Sequence, residues 1–277
     1  MFLGDSVAEE IQGEKTATIS LVFILYIRFM GVFRIIFSVY AIIIFLALML
    51  ILFPFVIIAS FFGKVKGGNI VYKICSFWAD IAFFCWGIKQ VNIYESSRIH
   101  PAVYIFNHIS YLDAAILVKA FRKDPVRILG KAEMAKIPIF GFIYKKAVVM
   151  VNRSSPEARA ESLALLKQIV RKGISIIIAP EGTFNLTHQP LKEFYNGAFE
   201  VAIETQTPIQ PVLFLDAYDR MHYQSVFTLN PGRCRVVFLE SIKVDAYSLQ
   251  DIPKLKKEAF EKMETALIKY KAGWIKN

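Results

Sequence analysis

From Ile35 to Phe62 the chain runs for 28 consecutive residues without a charge, and no other feature limits its fold as tightly. At about 1.5 Å per residue such a run makes a helix of roughly 40 Å, enough for the hydrocarbon layer of a bilayer. The 55% hydrophobic content and mean hydropathy of +0.44 exceed the usual soluble balance, and the excess is concentrated here. Ala17 to Arg34 is apolar as well, with Arg28 and Arg34 able to snorkel to an interface. Residues 1–67 are therefore expected to form a membrane anchor, a helical hairpin with both ends on the cytoplasmic side, whose second limb Pro54 would kink or break. Asp5, Glu9, Glu10 and Glu14 against Lys15 alone argue against a cleaved leader.

Gly67 and Gly68 mark the expected boundary with a second unit, residues 68–277. Ile70 to Ile88, rich in Phe and Trp, reads as an interfacial helix or as a core helix of that unit. Further on, short apolar runs alternate with helical ones, which predicts an α/β fold: a mixed sheet flanked by helices. Expected strands are Val103 to Phe106, Val126 to Leu129, Ala147 to Val151, Ile174 to Ala179, Ile209 to Phe214 and Cys234 to Leu239. A helix opens at Ser155 and Pro156 and stops at Gly173, carrying both start and stop signals. A last helix over Pro253 to Ala272 places Leu255, Ala259, Met263 and Leu267 on one face, opposite lysines, as a core-packed helix would. The net charge of +10 suits anionic lipid head groups or an acidic partner. Cys75, Cys85 and Cys234 form no CxxC pair and read as reduced, buried thiols.

After the apolar run Val103 to Phe106 come Asn107, His108, Ile109, Ser110, Tyr111, Leu112 and Asp113. His108 thus falls in a strand-to-helix turn, where the chain can fold it back towards Asp113. A carboxylate there would fix the imidazole tautomer and stabilise the protonated ring, as a general base requires. Ser110 and Asp113 also spell a Ser-x-x-Asp helix cap, so capping and catalysis both fit this heptad alone. Ala179, Pro180, Glu181, Gly182 and Thr183 form a second polar turn after a strand, where open α/β sheets assemble sites. Lys131 and Arg153 are the cations best placed for phosphate.

Together these blocks resemble the glycerolipid acyltransferase family, typified by 1-acylglycerol-3-phosphate acyltransferase, over roughly residues 70 to 245. Asn107, His108 and Asp113 match its His-x4-Asp signature, and Lys131, Glu133, Pro138 and Gly141 match the next block. Val151, Asn152 and Arg153 stand where the family ends a strand with a phosphate-binding arginine. Pro180 to Thr183, the following Phe194, Gly197, Ala198 and Phe199, and Pro208 to Val212 match the remaining blocks. One departure concerns recognition: Phe184 stands where the family commonly has arginine after Glu-Gly-Thr, and a charge-assisted contact of about 1.5 to 3 kcal/mol is lost with it.

The resemblance implies a membrane-bound O-acyltransferase at the cytoplasmic face. His108 would deprotonate the free hydroxyl of a lysophospholipid, 1-acylglycerol 3-phosphate first among them, and Asp113 would orient the ring. Backbone donors of the same turn would receive the oxyanion. Glu181, Gly182 and Thr183 would hold the acceptor's glycerol, with Lys131 and Arg153 on its head group. The acyl donor would be acyl-CoA or acyl carrier protein, with no cofactor, no metal and no nucleic-acid partner. Phe184 leaves a second acceptor class open, a lyso-aminolipid without a terminal phosphate. Gly4, Asp5 and Ser6 spell a hydrolase opening but follow no strand, and no G-x-S-x-G elbow occurs. His100, His108, His188 and His222 lack metal-ligand spacing. A non-catalytic membrane scaffold is the rival from outside enzymology.

Overall fold

The computed structural model describes residues 3–124, 126–151 and 155–275, with side chains from residue 31 onward apart from Lys64. In chain order the helices are α1 (Leu3–Ser60), α2 (Gly68–Cys85), α3 (Asp113–Ala120), α4 (Phe140–Ala147), α5 (Pro156–Arg171), α6 (Gly197–Glu204), α7 (Ala217–Arg220) and α8 (Ile252–Lys269). The strands are β1 (Ile88–Tyr94), β2 (Val103–Phe106), β3 (Val126–Lys131), β4 (Val148–Val151), β5 (Ser175–Ile178), β6 (Ile209–Phe214) and β7 (Gly232–Phe238). They form one mixed sheet in the order β1-β7-β6-β2-β5-β3-β4, parallel throughout except between β6 and β7.

Strand position follows from apolar content. β2, β5 and β6 are apolar almost throughout and buried at every residue, as strands covered on both faces must be. β2 and β6 keep their expected bounds. β1 was not expected: Lys89, Gln90 and Asn92 give it a half-polar pattern that its edge position tolerates. In α5, Ser155 accepts a hydrogen bond from the Ala158 N–H at 3.2 Å with Pro156 in the first turn, and Gly173 takes φ +75° just past the end. α8 buries Leu255, Ala259, Met263 and Leu267, so its apolar face is core.

The N-terminal expectation needs correction. One continuous helix runs over Leu3–Ser60, where two limbs were expected within residues 1–67. Between Arg28 and Arg34 lie Phe29, Met30, Gly31, Val32 and Phe33, of which only the glycine is a poor helix former, and one helical glycine costs no more than about 1 kcal/mol. Pro54 sits inside α1 without ending it. The chain reverses at residues 61–67, where Gly63 adopts φ +80°, and α2 returns against α1. The Trp86 indole N–H donates to the Ala41 carbonyl at 3.2 Å, Phe45 meets Trp78 edge-on at 5.1 Å, and Val56 and Ala59 cluster with Val71. The pair is therefore antiparallel, with α2 between α1 and the sheet.

Gly31–Ser60 is long and apolar enough to cross a membrane, at a mean hydropathy of 3.3. It nevertheless touches the α/β body at both ends. Near the start, Leu229 N–H donates to the buried Ser38 Oγ at 3.2 Å; near the end, Phe53 meets Phe142 of α4 edge-on at 5.6 Å. The stretch between Ser38 and Ala59 covers about 30 Å and lies along the body, its outer face exposed.

Gly141 packs α4 onto the turn before it, and a methyl there would meet the Ala135 carbonyl. Gly141→Ala is expected to destabilise the protein by about 1–3 kcal/mol, read as a lower melting temperature of the detergent-solubilised chain.

Candidate active site

The sheet register brings the two polar turns level with each other. Ile105 of β2 pairs with Ile178 of β5; His108 lies three residues beyond the first and Glu181 three beyond the second. Both turns emerge at the carboxyl edge of parallel strands, where side chains and backbone groups point into open space. Lys131 ends β3 on the same edge, two strands from β2, hence roughly 10 Å away by ladder spacing. Arg153 lies outside the described residues.

Asp113 opens α3 and is buried. One of its oxygens, Oδ2, accepts three hydrogen bonds: from His108 Nδ1 at 2.7 Å, Ile109 N–H at 2.9 Å and Ser110 N–H at 3.1 Å. The same oxygen thus orients the imidazole and holds the backbone of the turn before α3, a helix that carries no side-chain cap. An Nδ1–H donated to the carboxylate leaves Nε2 as the unprotonated nitrogen, and the His108 side chain is 29% exposed. Ser110 Oγ accepts from Leu112 N–H at 3.0 Å and donates to the Met221 carbonyl, closing the turn from its other side. Phe184 lies against the imidazole at 4.3 Å between ring centroids, Phe106 approaches it at 5.7 Å, and Tyr111 packs on Phe184 at 5.1 Å. Aromatic rings thus flank the imidazole.

Glu181 holds the backbone. Its Oε1 accepts from the His108 N–H at 3.0 Å and its Oε2 from the Lys192 N–H at 2.9 Å, in a side chain that is almost fully buried. With both oxygens bonded to backbone, the carboxylate ties the His108 turn to the segment after the second turn. Gly182 is buried at φ +70°, which glycine adopts without strain. Thr183 is exposed, and its Oγ1 accepts from Lys192 Nζ at 2.8 Å. The N–H groups of His108, Ile109, Ser110, Leu112 and Asp113 are all engaged within the protein, so these five are not open to an oxyanion.

Lys192 is the site residue that sequence reasoning missed. It belongs to no motif block, and only the fold of residues 183–192 returns its ammonium to the second turn. Among the described residues no carboxylate lies within ion-pair distance of its Nζ.

A partly exposed imidazole bonded to a buried carboxylate thus stands at the carboxyl edge of a mixed α/β sheet. Residues 88–215 match the family model described as Acyltransferase. The chain is 28% identical to the chloroplastic 1-acyl-sn-glycerol-3-phosphate acyltransferase BAT2 of Brassica napus, over 72% of this chain and 57% of that protein. It is 31% identical to the probable 1-acyl-sn-glycerol-3-phosphate acyltransferase of Mycoplasma pneumoniae, over 54% of this chain and 57% of that one. The chain therefore spans little more than half the length of these relatives. The crystal structure of the 1-acyl-sn-glycerophosphate acyltransferase PlsC from Thermotoga maritima superposes with a TM-score of 0.68 at 20% identity, covering 88% of this chain and all of that one. That likeness establishes the fold.

Burial pushes the Glu181 carboxyl up from its ordinary 4.5 to about 7, against the backbone donors and the His108 and Lys192 charges that pull it down. The unfolded chain releases this proton near 4.5 and the folded chain keeps it to about 7, so between these values the native state binds more protons and loses stability as pH rises. Wild type should therefore lose melting temperature across this window relative to Glu181→Gln, which cannot titrate. Parallel melting curves for the two proteins across that range would contradict this.

Proposed function

We propose that the chain is a membrane-associated O-acyltransferase that moves a fatty acyl group from a thioester to the free hydroxyl of 1-acylglycerol 3-phosphate. The observation that carries the reading is the 2.7 Å contact between His108 Nδ1 and Asp113 Oδ2, which leaves Nε2 as the base at an open sheet edge. His108 Nε2 takes the hydroxyl proton as the alcohol oxygen attacks the thioester carbonyl. The tetrahedral intermediate collapses, the carbon–sulfur bond breaks, and the departing thiolate receives the proton from the imidazolium. The products are a diacyl lipid and a free thiol, and no acyl-enzyme forms. Asp113 stabilises the imidazolium between the two transfers.

The acceptor assignment draws on the relatives' names and on cations at the same edge. Lys192 beside Thr183 supplies an unneutralised ammonium next to the catalytic turn, and Lys131 stands further along. These two replace the charge that Phe184 does not provide, while the Phe184 ring shields His108. An acceptor without a terminal phosphate is the second reading, favoured by Phe184 alone. The donor is acyl-CoA or acyl carrier protein, and the reaction uses no cofactor. Lipid meets the outer face of α1, with the body on the cytoplasmic side. Because α1 follows the body from Ser38 to Ala59, it lies along the membrane surface with its apolar side inward, and the site stays close to its lipid substrates.

Purified full-length chain is expected to convert 1-acylglycerol 3-phosphate and one of the two thioesters to phosphatidic acid, and His108→Ala to reduce kcat by about 10²–10⁴-fold. Undiminished turnover by His108→Ala would remove the mechanism; activity on lyso-aminolipids alone would reassign the acceptor. Lys192→Ala should raise KM for the phosphate-bearing acceptor by about tenfold or more, with kcat little changed, as loss of one charge-assisted contact predicts. Phe184→Arg should shift the kcat/KM ratio between phosphate-bearing and phosphate-free acceptors towards the former.

A further inference from the structure

The segment from Met221 to Leu229, between α7 and β7, belongs to none of the motif blocks, yet it joins the two parts of the molecule that a lipid enzyme must coordinate. At one end it holds the catalytic turn: the Met221 carbonyl accepts from Ser110 Oγ, and His222 forms an antiparallel bridge with Ser110. At the other end it is fixed to α1 through the Leu229 N–H to Ser38 bond, with both residues buried. Between these anchors is a short turn, stiffened by Ser225. Its Oγ accepts from Phe227 N–H at 3.1 Å and its carbonyl accepts from Thr228 Oγ1 at 2.7 Å. The turn carries Val226 and Phe227, which are 41% and 44% exposed.

Two apolar side chains held outward on a hydrogen-bonded turn lose exposed area only against a partner. The neighbouring surface indicates which one. At the same level of α1, Ile35, Ile36, Val39 and Tyr40 are exposed, so Val226 and Phe227 extend the apolar face of the chain's most hydrophobic helix. Arg34, also exposed, stands at this end of α1 close enough to His222 for its charge to act on the imidazole. Apolar side chains continuous with a bilayer-facing helix and bordered by a cation fit the interfacial zone of an anionic membrane.

We infer that the Ser225–Thr228 turn is a second lipid-contacting element, inserting Val226 and Phe227 into the bilayer beside α1 and thereby setting how the His108 edge meets the membrane. The inference rests on the membrane-associated reading given above and goes beyond it, because α1 alone would anchor the chain without fixing the body's rotation about the helix. A clamp on Ser110, next to the residues that hold His108, links this contact to the catalytic turn.

The test uses the full-length chain reconstituted into vesicles of phosphatidylcholine and phosphatidylglycerol with brominated acyl chains. The added emission of Phe227→Trp, relative to wild type with Trp78, Trp86 and Trp274, is expected to be quenched by the bromolipid. Val226→Asp combined with Phe227→Asp should lower turnover of vesicle-borne acceptor about tenfold, the factor matching one lost apolar anchorage. Turnover of acceptor dispersed in detergent should be unchanged. Unquenched Phe227→Trp in vesicle-bound protein overturns the inference while leaving the membrane reading intact; failure of wild type to stay with vesicles overturns both. Equal loss of rate in vesicles and detergent assigns the pair to packing, and concentration-dependent self-association without quenching assigns the turn to a second copy. Either result overturns the inference.

Discussion

The Asp113 carboxylate is the point on which the turn carrying His108 depends. One buried oxygen accepts from the His108 ring and from two successive backbone N–H groups, so the turn cannot change shape without breaking charge-assisted bonds worth about 1.5–3 kcal/mol each. Glu181 adds a second anchor from the neighbouring strand, binding the His108 N–H on one side and the Lys192 N–H on the other. The imidazole's position is thus fixed through its ring and its backbone by different carboxylates.

Around this point the sheet supplies the order and the helices supply the location. Parallel pairing of β2 with β5 puts both polar turns at one edge, and β3 extends that edge to Lys131. α1 and α2 then lie against the α/β body, with α1 exposing an apolar face beside which the segment 221–229 reaches back to Ser110. Site and apolar face are therefore joined by hydrogen bonds and packing rather than by a loose tether. Aromatic rings complete the arrangement. Phe106 and Phe184 flank His108, and Tyr111 backs Phe184. Phe184 thus sets a ring against His108, and the positive charge beside the second turn comes from Lys192.

Much of the catalytic body was legible from local pattern. β2 and β6 are apolar runs bounded by polar turns, and α5 carries a serine cap, a proline and a terminal glycine, so each element's limits lie within its own residues. β1 escaped because an edge strand can keep Lys89, Gln90 and Asn92, which weakens the apolar signal. The continuous α1 escaped because nothing within the apolar stretches Ala17 to Arg34 and Ile35 to Phe62 shows that they share one helix; the chain reverses where Gly63 takes a left-handed conformation. His108 and Asp113 were legible because they stand only five positions apart. Glu181 was legible as a site residue, but its engagement with the His108 backbone spans 73 positions.

The sequence by itself determined the apolar helix, the alternation of strands and helices, and the imidazole–carboxylate spacing, since each is written in residues close enough to interact along the chain. Only the tertiary structure decided that α1 lies along the body, that Glu181 holds backbone, and that Lys192 and the 221–229 segment attend the catalytic turn. Those relations join groups separated by long stretches of chain. They exist only where the packed sheet and its buried partners hold these groups within hydrogen-bonding reach.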